Sequence, residues 1–301
     1  MDQLQTIRMF VRVAETGSFT RAADQLQVPR SSVSTAIRRL EEHLDTRLIH
    51  RTTRRMQLTP DGSDYLNWCR RLLDEIEQAE ARFRRGGGEL RGRLRVDAPS
   101  RIARRLLVPA LPGFLARHPA LELELGSTDR PVDLVGEGVD CAIRVGEVRS
   151  PHLVARRLGA LRQLNCASPG YLARHGTPRG AAELRRHRVV AYASPLTGRV
   201  EDFEYLAEGA RRTLRLRSQV TVNSAETYAA CCLAGLGIIQ VPAYDVADEL
   251  RAGRLVEVLP ACVPPPLPLW AVYPGRRHLS PRVRAFVTWV EALFAPHLAP
   301  A

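Results

Sequence analysis

Residues 18–59 read SFTRAADQLQVPRSSVSTAIRRLEEHLDTRLIHRTTRRMQLT, and this stretch decides the fold of the front of the chain. Two short amphipathic segments meet across a tight turn, and a basic hairpin follows. Ser18 is a good N-cap for the first segment, whose Ala22, Ala23 and Leu26 face inward. After Gln27-Val28-Pro29 a second helix is predicted to run to about Leu44, with Val33, Ile37, Leu40 and Leu44 on its apolar face. The opposite face carries Arg30, Ser31, Ser34, Thr35 and Arg38, short hydroxyls and guanidiniums that suit base edges and phosphates. Ala22 and Ala23 are small where two helices must approach closely. Geometry of this kind lays the second helix in the DNA major groove. The alternative is an ordinary three-helix surface module with a solvated polar face.

Leu4, Ile7, Phe10, Val11 and Ala14 mark one face of a preceding helix that ends before Gly17. Beyond the hairpin, Thr59 caps another helix, with Pro60 at its first position and Asp61 in its first turn. Tyr65, Cys69, Leu72, Ile76, Ala79 and Phe83 then recur in a heptad, and the flanking charges stay outside it. This pattern predicts a dimer seam, because no nearby segment is large enough to cover the stripe. The alternative is a long helix packed on its own domain. A homodimer would place two reading helices one DNA turn apart on a dyad-symmetric site.

All 44 basic residues are arginine, and with 32 acids the formal net charge is +12. Residues 1–92 hold 16 arginines against 13 acids, and 93–301 hold 28 against 19, so bulk basicity does not locate a DNA site. The cluster Arg51, Arg54 and Arg55 on the hairpin does. Six cysteines form no CxxC pair and no zinc spacing with histidine, so neither a metal nor a cofactor is expected, and the thiols read as reduced and buried. The first residues, MDQLQTIRMF, lack a signal-peptide pattern, and the longest apolar window, 229–239, is too short to span a bilayer. A cytoplasmic protein with no membrane partner is the expectation.

After the flexible break Gly86-Gly87-Gly88 the pattern becomes an alternation of strand and helix. Strands are predicted at 94–98, 121–125, 141–145, 162–167, 189–192, 238–240 and 269–273, with helices at 102–117, 225–234 and 281–294. This is an α/β organisation with mostly parallel sheets, and Pro264-Pro265-Pro266 reads as a stiff crossover. No GxSxG, Walker loop or HExxH occurs, and Gly235-Leu236-Gly237 lacks the third glycine and follows a helix, so an enzyme is not expected. A thiol-based redox regulator using Cys231 and Cys232, or Cys141 and Cys166, is the other alternative.

The patterns FVRVAETGSFTRAADQL, SVSTAIRRLEEHL and RLIHRTTRRMQLTPDG, in that order and spacing, resemble the winged helix-turn-helix of LysR-type transcriptional regulators. The likeness spans more than sixty contiguous residues, and the remaining length also fits that family. It implies an all-α winged helix-turn-helix at 1–59, a dimerisation helix at 60–85, a hinge at 86–92, and a two-lobed effector domain similar to periplasmic binding proteins at 93–301. Lobe I would comprise about 93–164 and 268–301, and lobe II about 165–267. The resemblance assigns DNA contact to Arg30, Ser31, Ser34, Thr35 and Arg38, and to a wing of Arg51, Thr52, Thr53, Arg54 and Arg55. Arg30 stands where the family often has glutamine and Thr35 where arginine is frequent. Pro29 replaces a serine cap, and Asp45 a helix-ending glycine. Arginine pairs with guanine where glutamine suits adenine, so the operator preference is expected to differ.

Ligands in open α/β sheets bind beyond strand carboxyl ends, where helix N-termini favour anions. Applied to the two lobes, that rule selects Ser100, Arg101, Ser127, Thr128, Arg144 and Gly146 from one, and Ser168, Asn223 and Ser224 from the other. The alternative for Ser100, Ser224 and Asn223 is a helix-cap role alone, and for Arg144 a structural ion pair. An arginine among hydroxyls favours an anionic small-molecule effector. The expected partners are therefore promoter DNA, a small effector, other copies of the chain as a dimer or tetramer, and RNA polymerase.

Overall fold

The structure, a computed structural model, describes residues 2–51, 56–83, 89–148, 153–195, 197–275 and 279–299. It forms two compact units, Met1–Glu89 with Val135–Gly138, and Leu90–Leu134 with Val139–Ala301. Among the described residues no helix is long and apolar enough to cross a membrane. The glycine break at 86–88 lies outside the described residues.

In the first unit, helix α1 (Gln3–Thr16) ends at Gly17, whose φ of 61° is left-handed. Ser18 then caps α2 (Phe19–Leu26) by accepting from the Arg21 amide at 3.3 Å. Helix α3 (Arg30–Leu44) starts from Pro29 with no side-chain cap and stops where Asp45 turns left-handed at φ 48°. Asp45 thus does what glycine would do, at the modest cost an Asp incurs in that region. Phe10, Val13, Ala22, Val33, Ala36 and Ile37 are fully buried where the three helices meet. Ala22 and Ala23 supply the close approach their size predicts.

The wing is a two-stranded antiparallel ribbon, β1 (Ile49–Arg51) and β2 (Met56–Leu58), with Ile49 opposite Leu58 and Arg51 opposite Met56. The buried Glu41 of α3 fixes its root. One carboxylate oxygen accepts from the Leu48 and Ile49 amides at 3.0 and 3.1 Å, and the other from Arg47 at 3.3 Å. The ribbon hands over to α4 (Pro60–Phe83) through an equally tight joint. The Thr59 hydroxyl donates to the Arg47 carbonyl at 2.6 Å and accepts from the Gly62 amide at 2.8 Å. A Cβ at Gly62 would lie 2.0 Å from the Leu48 carbonyl oxygen, so only glycine fits there.

The second unit begins with β3 (Gly92–Ala98), a helix in three parts, and β4 (Leu121–Ser127). That helix comprises α5 (Ser100–Ile102), a π-helical stretch (Ala103–Leu107) and α6 (Val108–Arg117). Next come β5 (Cys141–Val145), β6 (Leu153–Leu161), β7 (Gln163–Ala167), α7 (Pro169–His175) and β8 (Arg188–Tyr192). A hairpin of β9 (Phe203–Ala207) and β10 (Ala210–Leu214) precedes β11 (Arg217–Val222), α8 (Ala225–Leu233) and β12 (Ile239–Pro242). The chain closes with α9 (Ala247–Arg251), β13 (Val256–Val258), β14 (Leu267–Pro274) and α10 (Pro281–Phe294).

One lobe holds a five-stranded sheet of order β4-β3-β5-β14-β6; the other holds β12-β7-β13 and the pair β11-β8. The expectation of mostly parallel sheets needs correction. β3 runs parallel to β4 and β5, and β8 to β11, but β14 is antiparallel to both its neighbours and β7 to both of its own. These reversed strands are the segments that pass between lobes. Gln163 pins the returning triproline segment, its side-chain amide donating to the Pro265 carbonyl at 2.6 Å.

Removing the strut at the wing root leaves two buried amides without an acceptor. Glu41→Ala should therefore destabilise the first unit by about 2 kcal/mol or more, and Glu41→Gln by roughly half that. Urea unfolding of the full chain measures both, and a Glu41→Ala midpoint equal to the parent's would show that the strut carries nothing.

Candidate functional site

Two faces gather the residues singled out from the sequence. On α3, the buried Val33, Ala36, Ile37 and Leu40 turn the opposite side outward, as a helical repeat requires. Arg30, Ser31 and Arg38 are exposed, and Ser34 and Thr35 are half-buried beside them. Arg30, Ser31, Ser34 and Thr35 make no side-chain hydrogen bond or ion pair with any described residue. Arg38 reaches only Glu42, at 3.6 Å, an exposed pair of little weight. The face is thus a set of unspent donors and acceptors on a rigid helix. Arg51 ends β1 opposite Met56, while Thr52, Thr53, Arg54 and Arg55 lie outside the described residues.

The second face lies in the α/β unit. Three parallel strands end side by side, with Ala98 of β3 level with Ser127 of β4, and Asp97 level with Ala142 of β5. Ser100, Ser127, Thr128 and Gly146 collect at that edge. Asp129 organises it by accepting from the Ser100 amide at 3.0 Å, while the Thr128 hydroxyl accepts from the Arg130 amide at 3.1 Å. Gly146 takes a φ of 89°, and its carbonyl accepts from the Trp270 indole at 2.8 Å. Arg144 pairs with Asp97 at 2.8 Å, the ion-pair role that was the alternative for it. Its Nη2 is buried and finds no partner among the described residues.

Across the lobes, Ser224 opens α8 without a side-chain cap bond, and Asn223 beside it is exposed. Arg101 ties this helix end to α5. It donates through Nε to the Asp245 carboxylate and through Nη2 to the Asp245 carbonyl, and Nη1 reaches Glu226 at 2.7 Å. Burial, only partly offset by Arg101, pushes the Asp245 carboxyl up to about 6. Arg104 joins Glu226 at 3.1 Å, and Arg105 joins Asp248 at 3.0 Å and Glu249 at 2.6 Å. Arg101 is therefore an interlobe tie rather than an open ligand donor.

Ser168 is displaced from this cleft. It caps α7 and lies beside Gly235 at the far end of α8, because β7 runs against the direction of β12. Nine helical residues, about 13 Å, separate that end from Ser224.

Residues 4–63 match the model of bacterial regulatory helix-turn-helix proteins of the lysR family, and residues 87–295 match the LysR substrate binding domain. The chain belongs to the LysR family of transcriptional regulators. It is 43% identical over 298 residues to YhjC, an HTH-type transcriptional regulator of Escherichia coli, covering 99% of this chain and 100% of that one. An HTH-type transcriptional repressor of Pseudomonas aeruginosa is 40% identical, over 98% of this chain and 93% of its own. The solved structure of CrgA, a LysR-type regulator from Neisseria meningitidis, is 32% identical with a TM-score of 0.62, covering 97% of this chain and 98% of that one. The first unit accordingly carries the helix-turn-helix of a LysR-family regulator, and the two-lobed unit is its LysR substrate binding domain.

For this LysR-family chain the sequence reading missed Glu41, Asp129, Glu226 and Asp245. Only Glu226 carried a local signal, as an acid in the first turn of a helix opening with a serine. The heptad on α4 also splits. Cys69 is fully buried in the head's own core, and Tyr65 packs on Phe10 with ring centroids 5.5 Å apart, so these two face inward. Leu72 packs partly on the same core, Ile76 is half-buried, and the side chains of Ala79 and Phe83 lie outside the described residues. Trp68, 47% exposed, stacks on Tyr65 at 5.8 Å.

All six cysteines are free. Burial pushes the Cys69 and Cys141 thiols up to about 12, and a contact with Cys232 together with burial raises Cys166 strongly. Cys141 and Cys166 also stand on different sheets. These thiols stay protonated through neutral pH, so they are poor nucleophiles.

Two outcomes follow from this geometry. Arg101→Ala strands the buried Asp245 and should lower stability by about 3–5 kcal/mol, more than Asp245→Asn, whose amide oxygen still accepts from Nε. Chemical unfolding tests this, and parental stability of Arg101→Ala would mean that the lobes are held by other contacts. At pH 8 a disulfide thiol reagent should label the half-buried Cys231 and Cys262 in the folded chain, and Cys69, Cys141 and Cys166 only on unfolding. Labelling of Cys69 at the pace of Cys262 would contradict the burial argument.

Proposed function

We propose that this chain acts as a homodimer, paired into a tetramer, that grips a dyad-symmetric promoter site and changes transcription when a small effector enters the interlobe cleft. The observation that carries the DNA half is the outward face of α3, where Arg30, Ser31, Ser34 and Thr35 have no partner among the described residues. A dimer sets two such faces one helical turn apart. In that dimer the half-buried Ile76 and the exposed Trp68 supply the seam on α4, because Cys69 and Tyr65 are already spent on the head's core. We place this regulator in the cytoplasm with the DNA it reads, in reach of RNA polymerase.

For the effector, the α5 and α8 N-termini meet across the cleft with Ser100, Ser127, Thr128, Asn223 and Ser224 around them. Their aligned N–H groups favour an oxygen-bearing, partly anionic molecule. Arg101 is occupied by Asp245 and Glu226, so the guanidinium that contributes is Arg144, whose buried Nη2 has no partner among the described residues and becomes available as the lobes move. Closing on such a molecule changes how the lobes sit, which the paired heads read as a change of spacing.

DNA sites selected from a random pool by the purified protein provide the test. Arg30→Ala and Ser34→Ala should each weaken binding to the selected site by about tenfold or more while sparing random DNA. Arg54→Ala should weaken both alike and reduce the salt slope by about 1. Parental footprints from Arg30→Ala and Ser34→Ala would show that another element reads the bases.

A further inference from the structure

A cavity of about 850 Å³ lies at the junction of the two lobes, and none of Ser100, Ser127, Thr128, Gly146, Asn223 or Ser224 lines it. Leu106 and Pro109 wall it from one lobe, Leu164 and Leu250 from the other, and Leu298 from the carboxyl-terminal segment. Beside these apolar side chains stand two adjacent polar groups without a partner among the described residues, and His297 lies on the same wall. Arg162 is exposed, and its guanidinium makes no hydrogen bond or ion pair with any described residue. The other arginines on the wall are engaged, Arg104 by Glu226, Arg105 by Asp248 and Glu249, and Arg251 by Asp248.

The second group is the hydroxyl of Tyr244. Its side chain is half-buried and its ring meets His297 edge-on at 6.0 Å, while the hydroxyl has no partner among the described residues. Burial raises its pKa well above the ordinary value, so the hydroxyl stays a donor at neutral pH. The Ala243 amide donates to the Arg162 carbonyl at 2.8 Å, which holds Arg162 and Tyr244 side by side.

We propose that this cavity is a second ligand site, separate from the cleft, which takes a carboxylate carrying an apolar body. The planar guanidinium of Arg162 and the hydroxyl of Tyr244 hold the carboxylate, and the leucines take the apolar part. A charged group set between donors and an apolar wall selects against both a bare anion and a neutral hydrocarbon. Both lobes contribute to the wall, and Arg104 and Arg105 on it belong to the interlobe ion pairs, so a bound carboxylate acts on the lobe arrangement directly.

Isothermal titration of the full-length protein with octanoate tests this, with acetate and 1-octanol as comparison probes. The expected result is one octanoate per chain, with acetate and octanol at least about tenfold weaker. Arg162→Ala and Tyr244→Phe should each weaken octanoate about tenfold, while Asn223→Ala in the cleft leaves it unchanged. Arg162 is exposed, so its replacement does not threaten folding. No saturable octanoate binding, binding indifferent to Arg162→Ala, or binding lost in Asn223→Ala would each overturn the site. The first two outcomes leave the reading of the cleft untouched, and the third would place octanoate in the cleft instead.

Discussion

A guanidinium taken out of water costs several kcal/mol unless partner charges and hydrogen bonds compensate it. Arg101 finds an acceptor for each of its three nitrogens only with the two lobes together, because Asp245 and Glu226 both come from the opposite lobe. The consequence is geometric more than energetic. The tie starts one residue after Ser100 and ends two residues after Ser224, so the two helix ends that border the cleft are fixed to each other. Arg104 and Arg105 extend the same seam outward, where solvent weakens each pair but the directions agree. On the proposed reading, an effector entering between those helix ends works against, or with, a charged joint of defined shape.

The head solves a similar problem with the opposite sign. Its buried charge is the carboxylate of Glu41, and its partners are the amides of Leu48 and Ile49 at the root of the wing. Thr59 and Gly62 then fix the wing to α4 with no room for a Cβ. In both units a buried charge sets the angle between elements, and the exposed polar groups are left for a partner. That division explains why Arg30 and Ser34 stand free while Arg101 does not.

The helical head was legible because its signals are local. Caps at Ser18 and Thr59, the left-handed stop at Asp45 and the apolar spacing of Val33, Ile37 and Leu40 all fall within a few residues of what they determine. The α/β unit was legible where a strand alternates or a helix carries an apolar face. Strand β6 and the hairpin β9–β10 were missed, since LVARRLGAL and ARRTL leave most of their residues outside the core and show no period of two. The partners of Arg101 lie 125 and 144 residues away in sequence, beyond the reach of any local pattern. Cys69 misled for a related reason. A heptad records which face of α4 is apolar, and α1 of the same chain had already claimed the start of it.

Strand direction accounts for the one cleft residue that moved. The carboxyl-end rule presumes parallel strands, but a strand continuing from one lobe into the next need not follow the direction of its new neighbours. β6 ends at Leu161 and β7 starts at Gln163, and β7 enters its sheet antiparallel to both β12 and β13. Its carboxyl end is therefore carried to the back of the lobe, and Ser168 with it. Arg162 is the single residue between those two strands, flanked by sheets on either side whose interiors exclude a guanidinium. Its side chain has only the lobe junction to occupy, and the topology that removes Ser168 from the cleft is the same one that leaves Arg162 exposed at the pivot.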